Sequence, residues 1–224
     1  MQLHDFSHNN QISKPLHHYL PIYQSLNPCD IAQRCNLGFN GGVYGGVHGG
    51  SAFNLRLLGT EYRIPHPEFA LLDSSGRETA HPDEHILILR YLCEGKWFPS
   101  QGKRLSYHEI PWGEVYYRNF EGRCIKRCAF AFGRDIAAFK RLFERNPQLR
   151  SEAQKAGDAS YRLEFINDLY ITIILWQPDD EFPPSAQILF DDNFVYAFSA
   201  EDLAVVGDVL ITRLKLHVRQ EELL

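Results

Sequence analysis

Residues Tyr170 to Arg213 read YITIILWQPDDEFPPSAQILFDDNFVYAFSAEDLAVVGDVLITR and decide the fold. The run begins as an apolar strand that ends at Trp176, passes through an acidic turn, and resumes as a second strand at Ala186–Phe190. Ser199, with Asp202 three residues later, resembles a capping box and therefore predicts a helix start. The helix that follows has one apolar face, formed by Leu203, Val206, Leu210 and Leu214. A strand hairpin and an amphipathic helix therefore form the centre of the predicted fold.

The remaining strands and helices occur in separate groups along the chain. Alternating apolar and polar residues predict strands at Phe53–Ile64 and Tyr161–Phe165, and Asn167-Asp168 is suited to a tight turn after the second of these. Asn27-Pro28 predicts a helix start, and His85–Cys93 is apolar on nearly every side, which is typical of a buried helix. Because no regular βαβ alternation is visible, we predict an α+β fold with a mainly antiparallel sheet and helices packed against it.

We expect a single domain over residues 15–219, preceded by a loose polar segment at residues 1–14. Val115–Tyr117 has the β-branched and aromatic residues of a short strand. Cys128 lies on an apolar helical stripe and is predicted to pack in the core like a small hydrophobic residue. The other predicted core residues are apolar and comprise Leu55, Leu57, Ile86, Leu89, Ile125, Phe132, Phe139, Ile171, Ile173, Leu175, Leu189, Leu203 and Leu210.

Composition limits the classes of function. The chain has 224 residues, of which 44% are hydrophobic and 23% charged, with a formal net charge of -5. Net negative charge argues against nucleic-acid binding, which needs a basic face. No apolar run approaches the roughly 20 residues that cross a bilayer, and the first residues lack the features of a secretory signal. An odd number of cysteines, five, suits reduced thiols, so we expect a cytoplasmic protein that binds neither nucleic acid nor membrane.

The HPDEH run at residues 81–85 matches the H-x-x-E-H pattern of some zinc enzymes. In such enzymes two histidines one helical turn apart bind zinc, and the glutamate activates the zinc-bound water. Pro82 favours an extended His81 just before a helix, with Asp83 or Glu84 as a cap at the helix start. A zinc metallohydrolase that uses His81, Glu84 and His85 is therefore an alternative, while our prediction is a helix start without a tightly bound metal.

Two acidic clusters flank the second strand of the hairpin. Asp179, Asp180 and Glu181 precede Phe182-Pro183-Pro184, and Asp191-Asp192 follows the strand. If the strands pair, the clusters lie at opposite ends, on the order of 15–20 Å apart, which is too far for one cation to bridge. The first cluster is therefore predicted to be a rigid corner, and Asp180 and Glu181 are candidates for contact with a ligand or partner.

The glycine-rich run from Gly41 to Gly50 is a candidate loop rather than a phosphate-binding motif. It lacks the G-x-G-x-x-G and G-K-[ST] patterns, and it follows a predicted helix and precedes a strand, the reverse of a phosphate-binding loop. The run is suited to a flexible loop or to close approach of backbone. A small-ligand pocket lined by Tyr116, Tyr117 and this run is a second alternative function.

Five separated blocks carry a resemblance to a known family: LRLLGTEYRI (Leu55–Ile64), EHILILRYL (Glu84–Leu92), FEGRCIKRCAFAFG (Phe120–Gly133), WQPDDEFPPSAQILFD (Trp176–Asp191) and AEDLAVVG (Ala200–Gly207). They resemble an uncharacterised set of bacterial and archaeal proteins that is defined as a domain of unknown function. The resemblance covers most of the chain beyond about Pro28. Members occur alone or attached to a cysteine-rich iron–sulfur segment like that of corrinoid proteins in anaerobic one-carbon metabolism.

The resemblance implies an accessory role in an anaerobe, with an iron–sulfur or corrinoid protein as partner. It supplies no catalytic residues, and this chain lacks the four-cysteine motif of the fused members. From the residues themselves, no candidate catalytic set satisfies both spacing and structural context. We therefore expect a non-catalytic accessory or binding module without a cofactor. Aromatic residues anchor protein interfaces and charges orient them, so the predicted contact residues are Trp176, Asp179, Asp180, Glu181 and Phe182.

Overall fold

A computed structural model of the chain describes residues 10–40 and 51–221. The glycine-rich run Gly41–Gly50 lies outside these residues, and so do residues 1–9 of the segment predicted to be loose. The chain divides into two compact units. The first unit contains Met1–Arg56 and Thr60–Trp97, and the second contains Leu57–Gly59 and Phe98–Leu224. The single domain over residues 15–219 stays a prediction.

The first unit combines helices with short strands. Its described helices are α1 (Asn10–Ser25), α2 (Pro28–Cys35) and α3 (Pro82–Glu94). Its strands are β1 (Gly38–Asn40), β2 (Ala52–Leu57, of which Leu57 belongs to the second unit) and β3 (Thr60–Pro65), and β2 pairs with both others. The Asn27 side chain accepts a hydrogen bond from the Cys29 backbone N–H, which confirms the predicted start of α2.

The strands of the second unit pair antiparallel throughout. They are β4 (Arg104–Ser106), β5 (Ser151–Ala153), β6 (Ala159–Ile166), β7 (Leu169–Trp176) and β8 (Ser185–Asp191), in the order β5-β6-β7-β8-β4. Leu57 pairs with Ile166 at the end of β6. The predicted pairing of β7 with β8 is confirmed, with Ile171 opposite Phe190 and Trp176 opposite Ser185. This register places the two acidic clusters at opposite ends of the hairpin.

One long helical run in the second unit consists of α4 (Gly113–Phe120), a π-helical segment (Glu121–Lys126) and α5 (Arg127–Phe132). It is followed by α6 (Ile136–Arg145), α7 (Phe194–Ala197) and α8 (Ala200–Glu221). The capping box at the start of α8 is confirmed, because Ser199 Oγ and Asp202 Oδ2 lie 2.7 Å apart and Ser199 N donates to the same carboxylate. None of the helices within the described ranges has the length and apolar character needed to span a membrane.

The α+β class with a mainly antiparallel sheet is confirmed, and most of the predicted core residues are buried. Leu189 is a correction, because it is only half-buried while Ile188 and Phe190 point inward. Side chains alternate along a strand, and three consecutive apolar residues leave the inward face undecided. Ile86 and Ile125 are also half-buried, since neighbouring helix positions face the core instead.

The strand predicted at Val115–Tyr117 is wrong, because these residues lie within α4. β-Branched and aromatic residues have only a weak intrinsic preference for strands, and tertiary context overrides it. Here Gly113 and Phe120 at the two ends of α4 are buried, while Val115 is 70% exposed. The helix is therefore held through its ends and exposes part of its middle.

Candidate functional site

His81 and Glu84 form the start of α3. The His81 side chain accepts a hydrogen bond from the Asp83 backbone N–H at 3.4 Å, and the Glu84 carboxylate accepts one from His81 N at 3.0 Å. This reciprocal arrangement is a capping box, and it satisfies two N–H groups that a helix start leaves open. The two side chains are thus used in the way that the helix-start interpretation expects.

His85 is buried, and both of its ring nitrogens contact oxygen atoms of the protein. Nε2 lies 2.7 Å from Glu78 Oε1, and Nδ1 lies 3.0 Å from the His81 carbonyl oxygen. A zinc ligand needs one ring nitrogen free for the metal, so the zinc arrangement requires these contacts to break. Within residues 10–40 and 51–221, no three His, Cys, Asp or Glu side chains are grouped so that they could hold a metal ion.

Asp179 closes a tight turn between β7 and β8. Its Oδ1 accepts hydrogen bonds from the backbone N–H groups of Glu181 and Phe182 at 2.9 and 2.7 Å, and its own N–H donates to the Phe182 carbonyl at 3.0 Å. Side-chain bonds of this type are how aspartate stabilises turns. Asp179 is thus a structural residue that sets the position of the neighbouring side chains.

The same turn presents aromatic and acidic side chains to solvent. Phe182 is 66% exposed and Trp176, at the end of β7, is 38% exposed. Asp180 and Glu181 are exposed, and among the described residues neither carboxylate has an ion-pair partner. We call Trp176, Asp180, Glu181 and Phe182 together the loop surface. It contains four of the five predicted contact residues, brought together by one turn.

Pro184, two residues after Phe182 in the chain, lies close to Gly133 at the end of α5. A Cβ atom on Gly133 would lie 2.7 Å from the Cβ of Pro184, so only glycine fits there without a shift. Phe130, one helical turn before Gly133, is 63% exposed. Phe130 is therefore a further exposed aromatic side chain of the second unit.

Tyr116 and Tyr117 lie on a separate element, α4. Tyr116 is 38% exposed and is accompanied by exposed Trp112 and Val115 on the same helix face. The Tyr117 ring packs on the His108 ring, with centroids 3.6 Å apart. The alternative ligand pocket also needs the run Gly41–Gly50, which lies outside the described residues, so that pocket stays a prediction.

Three consecutive polar residues at the end of β8, Asp191, Asp192 and Asn193, each hold a different segment of the second unit. Asp191 accepts from Arg162 Nη2 at 2.6 Å. Asp192 accepts from the Ser100 hydroxyl at 2.6 Å and from the Gln101 N–H at 3.1 Å. Desolvation raises the pKa of Asp192, but these hydrogen bonds outweigh it and hold the pKa below its ordinary value. Both carboxylates are therefore engaged by the protein itself.

Asn193, the third of these residues, is 1% exposed. Its Nδ2 donates to the carbonyl oxygens of Phe98 at 3.0 Å and Asp168 at 3.4 Å. Its buried Oδ1 has no hydrogen-bond partner among the described residues. Since buried polar atoms are nearly always paired, this is an unusual group at a structurally central position.

A cavity of about 630 Å³ lies beside Asp192 and Asn193. Apolar atoms form most of its surface, although half of its ten lining residues are polar; the lining consists of Phe98, Pro99, Ser100, Gln101, Lys103, Leu105, Asp192, Asn193, Val195 and Tyr196. Sequence reasoning missed this site, because its two halves are about 90 residues apart and each half lacks a motif. The only local signal is the pair Asp191-Asp192, which the sequence considerations weighed as part of a cation site and rejected because of its distance from the acidic turn.

The profile of the family described as Domain of unknown function (DUF3786) matches residues 27–213. No curated protein and no solved structure matches the chain. The family match begins next to Pro28, where the coverage of the resemblance was expected to begin, and it includes all five sequence blocks. Since it covers most of the chain, the chain belongs to that family.

Proposed function

We propose that this member of the DUF3786 family is a non-catalytic binding protein that docks on a partner protein through its loop surface. The observation that carries the proposal is the turn closed by Asp179, which fixes Phe182 while leaving its side chain 66% exposed. Exposed apolar surface that is rimmed by polar groups is typical of interaction sites. Here two of them flank two unpaired carboxylates.

Rigidity of the turn favours binding. Association costs free energy for each side chain and loop that must be ordered. Asp179 orders the backbone of residues 179–182 before any partner arrives, so this cost is already met by folding. Phe182 and Trp176 are of the residue types that anchor interfaces, while Asp180 and Glu181 supply charge that steers encounter.

The chemistry of the loop surface specifies the kind of partner. It requires a protein with an apolar pocket for Phe182 and a rim of lysine or arginine that complements Asp180 and Glu181. The family resemblance adds the expectation that the partner is an iron–sulfur or corrinoid protein in the cytoplasm of an anaerobe. Accessory function, rather than catalysis, fits the way in which the residues of the HPDEH run are already engaged with one another.

The test is capture of the partner by affinity purification from the native host under anaerobic conditions, followed by titration of the purified partner in a calorimeter. Two variants probe the loop surface: Phe182→Ala, and the charge reversal Asp180→Lys/Glu181→Lys. The matched control is Glu144→Lys/Glu152→Lys, which makes the same charge change at exposed acids elsewhere in the second unit. Circular dichroism checks that each variant is folded.

We expect Phe182→Ala to raise the Kd at least 10-fold, about 1.4 kcal/mol, and the loop charge reversal to slow association. The control double variant is expected to bind like the wild type. Equal binding by the loop variants and the control overturns docking at this surface. A partner that depends on the loop but has neither the absorbance of an iron–sulfur cluster nor that of a corrinoid retains the docking proposal and refutes the expected partner class.

The zinc alternative has its own test. His85→Ala removes the group that contacts Glu78, and elemental analysis of wild type and variant measures bound zinc. Our proposal expects no stoichiometric zinc in either protein. One zinc per chain that is lost in the variant contradicts the non-catalytic proposal and favours a metallohydrolase.

A further inference from the structure

The cavity beside Asp192 has the size and lining of a small-molecule site. Ligand pockets span about 300–1,000 Å³ and are mainly apolar with a few placed polar groups. This cavity has a volume of about 630 Å³ and meets both conditions. It lies at a different place from the loop surface, since none of the loop-surface residues is in its lining.

The wall formed by residues 98–103 is held in place by hydrogen bonds. Asp192 accepts from Ser100 and Gln101, Asn193 donates to the Phe98 carbonyl, and Asp192 N donates to the Lys103 carbonyl at 3.0 Å. Gly102, with φ of +85°, adopts a backbone conformation that suits glycine, and its N–H donates to Ser100 Oγ. The cavity is therefore preformed and does not depend on a ligand for its shape.

Two aromatic rings line the cavity and are largely exposed to solvent. Phe98 and Tyr196 meet edge to face, with centroids 4.8 Å apart and planes at 63°. Phe98 is 45% exposed and Tyr196 is 55% exposed. Rings so exposed contribute little to the core, but their free faces can stack on a flat ring of a ligand.

The charges at the cavity favour an anion. Asp192 already accepts hydrogen bonds from two neighbouring groups. Lys103, by contrast, is exposed, and its ammonium group makes no hydrogen bond or ion pair with the described residues. A lysine carries three donors and no acceptor, so its open donors match a carboxylate, sulfonate or phosphate.

We infer that this cavity binds a small aromatic anion, whose ring packs against Phe98 and Tyr196 and whose acidic group contacts Lys103. The inference goes beyond the partner-docking function and does not rest on it. It adds a ligand site that the HPDEH run, the acidic turn and the glycine-rich run do not include.

Naphthalene-2-sulfonate serves as the probe, and naphthalen-2-ylmethylammonium, which has the same ring with opposite charge, is its control. Binding is measured by isothermal titration calorimetry and by saturation-transfer NMR. The site variants are Phe98→Ala, Tyr196→Ala and Lys103→Gln, all at exposed side chains, so the core is untouched. Phe130→Ala and Lys155→Gln, also exposed, are matched controls that lie outside this cavity.

We expect the sulfonate to bind the wild type and both control variants alike. Each of the three site variants is expected to raise its Kd about 10-fold, because each removes one stacking surface or the open lysine in the described lining of the cavity. The ammonium probe is expected to bind at least 10-fold more weakly. No binding of the sulfonate, equal or tighter binding of the ammonium, or equal losses in site and control variants would each overturn the inference.

Discussion

Replacing Gly207 by alanine is expected to destabilise the second unit, although alanine is the better helix former. Gly207 is buried in α8 at the point where it meets the π-helical segment. A Cβ atom there would lie 2.6 Å from Cys124 Sγ, 3.1 Å from Cys124 Cβ and 3.3 Å from Phe120 Cε2. The sulfur is the worst of these contacts, and it is itself held, at 3.3 Å from the Ala204 carbonyl oxygen.

The magnitude follows from two opposing effects. Alanine in a helix interior is favoured over glycine by about 1 kcal/mol. Overpacking a core costs about 1–3 kcal/mol, and a 2.6 Å contact is about 1 Å inside the optimal separation. The net loss for Gly207→Ala is therefore on the order of 1 kcal/mol. In a Cys124→Ala background the sulfur is absent, so the same change is expected to be neutral or stabilising by up to about 1 kcal/mol.

The assay is urea unfolding, followed by circular dichroism, of the wild type, the two single variants and the double variant. Gly122→Ala is the matched control, because a Cβ there has no atom within 4 Å, and it should not destabilise the protein. The cycle should give a coupling of about 1–2 kcal/mol between positions 124 and 207. If Gly207→Ala has the same effect in both backgrounds, the reasoning from the sulfur contact is refuted.

Other parts of the structure make predictions of different kinds. Ile188→Ala is expected to cost about 2–4 kcal/mol and Leu189→Ala clearly less, by urea unfolding, because only Ile188 faces the core; equal losses would contradict the register of β8. Native alkylation at pH 8, read by mass spectrometry, should modify exposed Cys29 first, since burial raises the pKa to about 12 for the thiols of Cys35, Cys124 and Cys128. Rapid labelling of Cys124 would count against its buried position. Because the folded pKa of Asp192 is depressed, its contribution to stability is present above the unfolded pKa and is lost as pH falls through the folded value. Asp192→Asn should therefore flatten the loss of stability below about pH 4, and an unchanged acid-unfolding curve would contradict this.

The sequence predicted the parts of the fold that depend on short-range chemistry. The capping box at Ser199, the N-cap at Asn27 and the tight turn at Asn167-Asp168 each need only neighbouring residues, and each is confirmed. The β7–β8 pairing was predicted for a related reason, since a short acidic turn brings two apolar strands together. The position of the loop surface followed from that pairing.

The parts that could not be predicted depend on residues far apart in the chain. Nothing near Phe98 indicates that its carbonyl oxygen will accept from Asn193, 95 residues away. The sequence also does not show which residues of β8 face the core, because Ile188, Leu189 and Phe190 are all apolar and only packing decides among them. Tyr116 was assigned to a strand because aromatic and β-branched residues favour strands. This preference is weak, and contacts at the two ends of α4 determine the helix instead.

The run of Asp191, Asp192 and Asn193 shows why a polar cluster at a strand end is weak evidence for catalysis. Each side chain contacts a different distant segment. Asp191 contacts Arg162 on β6, and Asp192 contacts the Ser100 hydroxyl and the Gln101 backbone N–H. Asn193 contacts the carbonyl oxygens of Phe98 and Asp168. Carboxylates already occupied by such donors have little capacity left to bind a cation or move a proton. Asp192 and Asn193 therefore hold the wall formed by residues 98–103 in place, while the side chains of Phe98, Lys103 and Tyr196 are exposed at the cavity.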